Sequence, residues 1–356
     1  MPHTPMPAIA TRYPHLAGSP RAMAMTAAAL HLSGRTEDAV ELALAAVAAA
    51  PADMIVHQTV RRALNRGVAR FHDSMMRDEV RNRAYARAIE AAVRPGMTVL
   101  EIGAGSGLLA MIAARAGARV VTCEAVPAVA ATARTIVARN GYADRVRVVA
   151  KRSTDLEIGV DLDEPADLLV HEIFGHMLVN EGVTAAVADA RARLLKPGAP
   201  SVPPRAEIRV ALAAFIGQRS PQIGEIEGFD LSPFGILLPP RGASILDATG
   251  RIAPRSEPAS LLRMEYDSPA PFGPDRETVR LVSTGGSVDL VAQWMRIDFG
   301  GGNMLGTDPF ADGQAVSWGA PLFLLPMPIK TTAGDGIDVT VRHDGHALTI
   351  DAAAAG

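Results

Sequence analysis

Short apolar segments alternate with helical stretches between residues 97 and 171, and this alternation constrains the fold more than any other feature of the chain. Buried strands are predicted for MTVLEIG, RVVTCEA, RVRVVAK and ADLLVHE, and helices for LLAMIAARAG and AVAATARTIVARNG. Strands that alternate with helices of this length make right-handed crossovers within one parallel sheet. We therefore predict an α/β fold with a doubly wound sheet.

The chain changes character on both sides of this region. From Arg21 onward the pattern is helical. The hairpin up to Pro51 resembles one tetratricopeptide unit, with an ordinary alanine-rich packing hairpin as the alternative. Beyond Lys196 apolar segments separated by Gly and Pro clusters predict an antiparallel β domain. The predicted parts are a poorly ordered leader, a helical extension, an α/β domain and a β domain, at residues 1–20, 21–66, 67–199 and 200–356.

Charge and composition restrict the partners and the compartment. The 356 residues carry 35 basic and 38 acidic side chains without a long block of either sign, which indicates neither a nucleic acid nor an anionic membrane as partner. The longest alanine-rich apolar stretch is interrupted by Glu41, Pro51 and Asp53, so no spanning helix is predicted. The N-terminus lacks the cationic start and apolar core of a signal peptide, and the single cysteine, Cys123, agrees with a reducing compartment. We expect a cytoplasmic protein.

The strongest local motif is VLEIGAGSG, at the end of the first predicted strand. Its glycines let the backbone approach a ligand at the carboxyl ends of the strands: Gly103, Gly105 and Gly107. A dinucleotide fingerprint would need glycine where Leu108 stands, and Glu101 would repel a pyrophosphate. A cationic sulfonium bearing an amino acid group suits this acidic edge, and Glu124 after the second strand can accept both ribose hydroxyls. The pattern resembles class I S-adenosylmethionine-dependent methyltransferases, with a turn that holds no ligand as the alternative.

A loop with two carboxylates follows the fourth predicted strand. The stretch HEIFGHMLVNEG places Glu172 and Glu181 nine residues apart around Gly175. A guanidinium is a permanently charged planar fork, and two carboxylates can grip it and draw charge away from the nitrogen that attacks a methyl group. Two ordinary surface carboxylates are the alternative. His171 and His176 lie five residues apart rather than the four of H-E-x-x-H, so no metal site is predicted.

Further stretches resemble one family. The loop is similar to the double-glutamate loop of protein arginine methyltransferases, and KRSTDLEIG resembles the same region of the monomethylating, tandem-module members. FHDSMMRDEVRNRAY is similar to the family's N-terminal cofactor-covering helices, and VPPRAEIRV, EGFDLSP, QWMRIDFGGG and SWGAPLFLL resemble segments of its β-barrel domain in order. The likeness covers about residues 68 to 350. It implies a Rossmann-like catalytic domain and a C-terminal β-barrel substrate domain, here after a helical extension.

The resemblance also implies site residues. The catalytic residues would be Glu172 and Glu181. Binding of S-adenosylmethionine would involve His72, Arg81, Glu101, Gly103, Gly105, Glu124, Ser153 and Thr154. Substrate binding would involve Met75, Asp78 and Trp318. In this scheme Arg81 pairs with the cofactor carboxylate, His72 lies against the cofactor, and Ser153 and Thr154 border the adenine.

The chain departs from the family at the substrate rim. Val316 and Ser317 precede Trp318 where the family usually has Thr-His-Trp. Trp318 can still wall an arginine channel, but the usual histidine partner for the position of Asp78 is missing. The monomethylating relatives carry two modules and this length fits one, so a homodimer is expected, with residues 218–240 as the candidate arm or else an ordinary loop.

The sequence therefore predicts a protein arginine N-methyltransferase that uses S-adenosylmethionine and acts on arginine-containing proteins or peptides. One alternative is a methyltransferase for another acceptor, such as a ribosomal protein amine or a small molecule, which would tolerate Glu181→Gln. The other is a non-catalytic scaffold of the same fold, which would not bind S-adenosylmethionine.

Overall fold

The structure is a computed structural model that describes residues 12–69, 71–217, 223–237, 251–268, 275–311 and 318–354. Its contacts divide the chain into two compact units, Met1–Met76 with Val93–Val170, and Arg77–Ala92 with His171–Gly356. We call these unit 1 and unit 2. The predicted boundary near residue 200 marks the change from helices to strands, whereas the contacts group all residues from His171 onward with the strands. The four predicted domain ranges stay predictions.

Unit 1 begins with a small helical bundle. A 3₁₀ turn at Pro14–Leu16 precedes helices α1, α2 and α3, at Pro20–Leu32, Thr36–Ala49 and Met54–Leu64. Alanines such as Ala27, Ala39 and Ala46 are fully buried where these helices meet, since a methyl side chain lets helix backbones approach closely. Leu16 belongs to the same core, whereas residues 1–11 of the predicted leader lie outside the described residues.

The rest of unit 1 is the predicted parallel sheet with its helices. Strands β1 to β4 lie in the order β3-β2-β1-β4, at Thr98–Ile102, Arg119–Cys123, Val146–Val149 and Leu168–His171. Helix α4 (Phe71–Arg77) precedes the sheet, and after helix α5, described below, α6 and α7 follow β1 and β2 at Leu108–Arg115 and Pro127–Arg139. The pairs β1–β2 and β2–β3 are parallel. The Rossmann-like fold class is confirmed.

Helix α7 also contacts the N-terminal bundle. Its Arg134 donates a hydrogen bond to the Val148 carbonyl at 2.9 Å and forms an ion pair with Glu37 of α2. The arginine thus joins the bundle, helix α7 and strand β3 inside unit 1. The helical extension is therefore part of the same compact unit as the sheet.

Unit 2 combines two helices with an antiparallel sheet. The helices are α5 (Glu79–Ala92) and α8 (Val183–Arg193), and the short strand β5 is Ser201–Val202. Strands β6 to β14 are Arg205–Phe215, Glu225–Ile226, Phe229–Asp230, Ile252–Pro254, Ala259–Glu265, Arg276–Asp298, Met304–Gly306, Leu322–His343 and Leu348–Ala354.

The main sheet of unit 2 has the order β10-β6-β11-β13-β14, with β9 on β6 and β12 on β11. Its pairs are antiparallel, which confirms the predicted change of sheet type, while closure into a barrel stays a prediction. Strands β7 and β8 form a separate hairpin. Among the described residues, no helix has both the length and the apolar character to cross a bilayer.

The turn after β1 allows a stability test with a matched control. Gly107 and Gly141 have almost the same left-handed φ, +78° and +77°, but a Cβ on Gly107 would lie 3.2 Å from Val137 Cγ2, whereas one on Gly141 meets nothing within 4 Å. We expect Gly141→Ala to lower the free energy of unfolding by about 1 kcal/mol through backbone strain alone. Gly107→Ala should lower the free energy of unfolding by more, because the new methyl group also displaces Val137. Urea unfolding of both variants checks this, and equal losses would contradict it.

Candidate active site

The glycine turn in unit 1 requires a left-handed backbone conformation at three positions. Gly103, Gly105 and Gly107 all have positive φ, at 87°, 51° and 78°. The N–H groups of Gly103 and Ala104 both donate to the Cys123 carbonyl, at 3.0 and 2.9 Å, which fastens the turn to the end of β2. Residues with a Cβ rarely adopt this conformation, so the sequence of glycines is what lets the chain turn here. Gly103 and Gly105 of this turn are half-buried at the end of β1.

Two side chains border this turn within unit 1. The Glu124 carboxylate accepts the Gly105 N–H at 3.2 Å and the Val126 N–H at 2.9 Å, one on each oxygen. Each carboxylate oxygen has a further lone pair, so Glu124 can still accept two ribose hydroxyls. A Cβ on Gly105 would lie 3.9 Å from His72 Nδ1, which places the α4 imidazole beside the turn. This cradle fits a nucleoside with a vicinal diol.

The other predicted cofactor residues of unit 1 differ in exposure. Glu101 is buried at the turn end of β1, and Ser153 is buried in the 3₁₀ turn Ser153–Asp155, whereas Thr154 beside it is exposed. Met75 lies half-buried on α4, in the same unit. Cys123 is buried at the end of β2, and burial raises the pKa of its thiol to about 12, so it is an inert residue of the strand.

In unit 2, a buried ion pair occupies the start of the carboxylate loop. Arg81 Nη2 of α5 lies 2.8 Å from Glu172 Oε2, and the two side chains are only 6% and 7% exposed. Burial raises the pKa of Glu172 to about 7 in spite of Arg81, and the nearby negative charges of Glu181 and Asp78 add to the increase. The protonated and ionised forms of Glu172 are therefore close in free energy near neutral pH.

Arg81 is held on several sides. Its backbone N–H donates to Asp78 Oδ1 at 2.9 Å, and its Nη1 donates to Asn82 Oδ1 at 2.7 Å. Its guanidinium carbon lies 5.1 Å from the centre of the Tyr85 ring and 5.7 Å from that of Trp318, within the range of cation–π attraction. Unit 2 thus contains a place where a guanidinium meets a carboxylate and aromatic faces.

Side chains from several segments of unit 2 pack against the loop between the two glutamates. Phe174 is buried and stacks on Trp318, with ring centres 5.7 Å apart, and on Tyr266 at 6.2 Å. The Gly175 N–H donates to Asn180 Oδ1 at 3.1 Å, and Gln293 of β11 donates from Nε2 to the His176 carbonyl at 2.9 Å. These contacts hold the loop against the antiparallel sheet.

Glu181 adopts an unusual backbone conformation. Its φ is +67° and its ψ is +10°, the left-handed region that a residue with a side chain occupies at some cost. Leu178 in the same loop also has a positive φ, +59°, and is fully buried. Glu181 is reached by solvent, but the protein around the rest of its side chain raises the pKa of the carboxyl. Strain of this kind is typical of sites where side chains must point in a set direction.

The structure distributes the predicted residues over the two units. Unit 1 contains His72, Met75, Glu101, Gly103, Gly105, Glu124, Ser153 and Thr154. Unit 2 contains Asp78, Arg81, Glu172, Glu181 and Trp318. Val316 and Ser317, where the family pattern is broken, lie outside the described residues. The assignment of roles to these residues stays a prediction.

His171 has a structural environment. It is fully buried with its ring 4.5 Å from that of Tyr266, and burial lowers its pKa to about 3, so it stays neutral. Among the residues that the structure describes, no cluster of three His, Cys, Asp or Glu side chains could hold a metal ion.

The sequence does not predict two residues that hold the loop in place, Asn180 and Gln293. Gln293 is fully buried, yet 117 residues separate it from His176, so no local pattern joins them. A polar residue within the otherwise apolar stretch around Trp294 was the one available signal.

Comparison with known proteins identifies the family. A family model described as a methyltransferase domain matches residues 99–198. An arginine N(omega)-methyltransferase of Streptomyces achromogenes subsp. streptozoticus is 35% identical over 272 residues, which cover 76% of this chain and 75% of that protein. The chain belongs to the arginine methyltransferase family. It is therefore an S-adenosylmethionine-dependent methyltransferase.

Other arginine methyltransferases extend the comparison. Protein arginine N-methyltransferase 7 of Danio rerio is 31% identical over 305 residues and is matched over 44% of its length, so the chain spans less than half of that relative. The structure titled Trypanosoma brucei PRMT1 enzyme-prozyme heterotetrameric complex with AdoHcy shares the fold, with a TM-score of 0.67 and 22% identity. The match covers 80% of this chain and 93% of that one.

The clamp between Gly175 and Asn180 allows a test of the loop of this arginine methyltransferase. A Cβ on Gly175 would overlap Asn180 Nδ2, so Gly175→Ala must displace the amide and break its hydrogen bond. We expect a loss of about 1–2 kcal/mol in the free energy of unfolding. In a protein that already carries Asn180→Ala, Gly175→Ala should lower the free energy of unfolding by much less, because the amide is no longer present. Additive losses in this double-mutant cycle would contradict the clamp.

Proposed function

We propose that the protein transfers a methyl group from S-adenosylmethionine to a guanidinium nitrogen of arginine in a protein or peptide. The observation that carries this proposal is the Arg81–Glu172 pair, at 2.8 Å in a nearly dry setting. A carboxylate that holds one guanidinium there is chemically suited to hold another. The family membership gives the reaction class, and the carboxylates favour a cationic acceptor.

The two glutamates have complementary properties in this proposal. Glu172 is buried and is supported by the packed loop, so it provides a fixed direction for a bidentate grip. Glu181 is more exposed and its strained backbone sets its position. Together they would fix one nitrogen of the acceptor for in-line attack and draw positive charge toward the carboxylates.

Proton transfer suits the same residues. The cofactor, when bound, supplies an electrophilic methyl group on a sulfonium. The acceptor guanidinium keeps its proton until a methyl group is bonded to nitrogen, when one proton becomes acidic. Glu172, whose pKa is raised to about 7, is a better proton acceptor than a carboxylate at its ordinary value. The products are methylarginine, S-adenosylhomocysteine and a proton.

Cofactor binding is assigned to the predicted residues on the grounds of their geometry. His72, Gly103, Gly105 and Glu124 would bind the nucleoside at the turn, and Ser153 and Thr154 would border the adenine. Arg81 would meet the cofactor carboxylate, as the resemblance implies. The ion pair with Glu172 supports this role, because it places the Arg81 guanidinium where it already binds one carboxylate. Asp78, Met75 and Trp318 would line the substrate side.

The finer features of the protein are also proposed. The antiparallel sheet of unit 2 would form the β-barrel substrate domain, and two copies of the chain would associate. The single Cys123 agrees with a reducing compartment and supports the proposal of a cytoplasmic location. Free arginine is a second candidate acceptor, because the Streptomyces relative is named an arginine, and not a protein arginine, methyltransferase.

The acceptor can be identified by mass spectrometry. Purified protein with methyl-labelled S-adenosylmethionine and a pool of Arg peptides, Lys peptides and free arginine should place label on arginine. Glu172→Gln and Glu181→Gln should each lower the rate at least about 100-fold, because a neutral amide cannot grip and discharge a guanidinium.

Controls separate chemistry from folding. Glu257→Gln, at an exposed position, should leave the rate unchanged. The affinity of the glutamate variants for S-adenosylhomocysteine should stay within about threefold of the original, since these carboxylates serve the acceptor. Label on lysine, or full activity of Glu181→Gln, would refute the arginine assignment.

The raised pKa of Glu172 predicts a pH profile. Only the ionised carboxylate grips a guanidinium, so kcat/KM should rise with pH and level off above about 7. An ordinary glutamate would already be ionised throughout this range. Initial rates between pH 5.5 and 8.5 test this, with S-adenosylhomocysteine binding over the same range as the control. A rate that is flat below pH 7 would show that Glu172 is not the titrating group.

A further inference from the structure

Tyr85 lies on helix α5, four residues after Arg81, and its side chain is fully buried in unit 2. Its ring centre is 5.1 Å from the Arg81 guanidinium carbon, and its hydroxyl donates a hydrogen bond to the His171 carbonyl at 3.2 Å. This carbonyl belongs to the peptide group that joins His171 to Glu172. A single side chain therefore contacts the guanidinium of the buried ion pair and the peptide group that leads into its carboxylate.

The Tyr85 hydroxyl keeps its proton because its surroundings are dry. Burial raises the pKa of Tyr85 well above its ordinary value, and the negative charge of Glu172 adds to the increase. A phenol that stays protonated around neutral pH can always donate a hydrogen bond there. The link between α5 and the end of β4 is therefore independent of pH in this range.

The turn between β11 and β12 packs against the same part of α5. The Phe299 ring meets the Tyr85 ring edge to face, with ring centres 4.8 Å apart. Asn303 Nδ2 donates to the Ala84 carbonyl, one residue before Tyr85, at 2.8 Å. Within the turn, the Phe299 N–H donates to the Asn303 carbonyl at 2.9 Å, which holds the two contacting residues together. The antiparallel sheet thus supports Tyr85 from a segment more than 200 residues away along the chain.

The charges around Glu172 make its ionisation sensitive to the distance from Arg81. Arg81 stabilises the ionised carboxylate by its charge and by a hydrogen bond, whereas burial and the negative charges of Glu181 and Asp78 oppose ionisation. His171, next to Glu172 in the chain, stays neutral. A longer Arg81–Glu172 distance would weaken the stabilising contribution and leave the opposing ones in place. The pKa of Glu172 therefore reports on the geometry of the ion pair.

We infer that Tyr85 is a positioning residue, whose ring and hydroxyl hold Arg81 and Glu172 in the geometry in which the carboxylate can also bind the acceptor guanidinium. The turn Phe299–Asn303 keeps Tyr85 in place. Tyr85 acts through Glu172 and not on the reacting atoms. The inference rests on the proposed role of Glu172 and adds the residues that fix its direction.

Tyr85→Phe tests the hydroxyl alone, because the ring and its contacts with Arg81 and Phe299 remain. Without the hydrogen bond, the peptide group before Glu172 is less firmly held, and small displacements of a positioning group slow an in-line transfer. We expect kcat for an arginine peptide to fall about tenfold while KM changes less than about threefold. The midpoint of the kcat/KM profile should move to higher pH, because Arg81 then stabilises the ionised Glu172 less.

The pKa of Glu172 can also be measured without methyl transfer. Carbon NMR of the full chain, labelled at the glutamate carboxyl groups, gives the titration, and Glu172→Gln identifies the signal. Tyr85→Phe should raise this pKa. Asn303→Ala keeps Tyr85 intact and removes only the side-chain bond to Ala84, so it should cause a smaller change in the same direction.

Gly141→Ala is the control for stability. Gly141 belongs to unit 1, and a Cβ there meets nothing within 4 Å, so the substitution acts through local backbone strain. It should leave kcat within about twofold of the original and the pKa of Glu172 unchanged.

Three outcomes would overturn the inference. These are an unchanged kcat in Tyr85→Phe, an unchanged or lowered pKa of Glu172 in that variant, and the same changes in Gly141→Ala. The last two would leave Tyr85 with a role in stability only. An increase in the pKa of Glu172 without label on arginine would support the positioning role and refute the proposed acceptor, so the two failures are distinguishable.

Discussion

The buried contact between Arg81 and Glu172 is the interaction on which the candidate catalytic part depends. Removal of two charges from water is costly, and the pair repays this through close geometry and additional donors and aromatic faces. The helix that carries Arg81 and the loop that begins at Glu172 therefore constrain each other. Burial also raises the pKa of the glutamate to about 7, which suits a group that receives a proton late in a reaction.

The loop after Glu172 is held in place by aromatic stacking and by an amide hydrogen bond. Phe174 stacks on the rings of Tyr266 and Trp318, and the amide of Asn180 fills the space beside Gly175. Both contacts lie between the two glutamates along the chain. In the same loop, Glu181 has a left-handed backbone conformation, which a residue with a side chain adopts at some cost in free energy. Such preorganisation reduces the reorganisation that a reaction requires.

Much of the candidate site follows from contiguous sequence. The glycine turn, the carboxylate at the end of β2 and the two-glutamate loop each lie within about ten residues, so chain connectivity alone brings their parts together. The ion pair between Arg81 and Glu172 does not follow from the sequence, because the two residues are remote along the chain, and the pairing of Arg81 with the cofactor carboxylate stays a prediction. Gln293 was not predicted at all, because the hydrogen bond to His176 joins residues that are 117 positions apart.

The sequence by itself determined the order of helices and strands, the parallel and antiparallel sheets, the glycine turn and the acidic loop, since periodicity and local backbone preferences act over a few residues. Only the tertiary structure decided that Glu172 meets Arg81 and how deeply Glu172 is buried. The reason is physical. Burial and charge pairing depend on distances between segments that are remote along the chain, and these distances are set by packing of the whole unit.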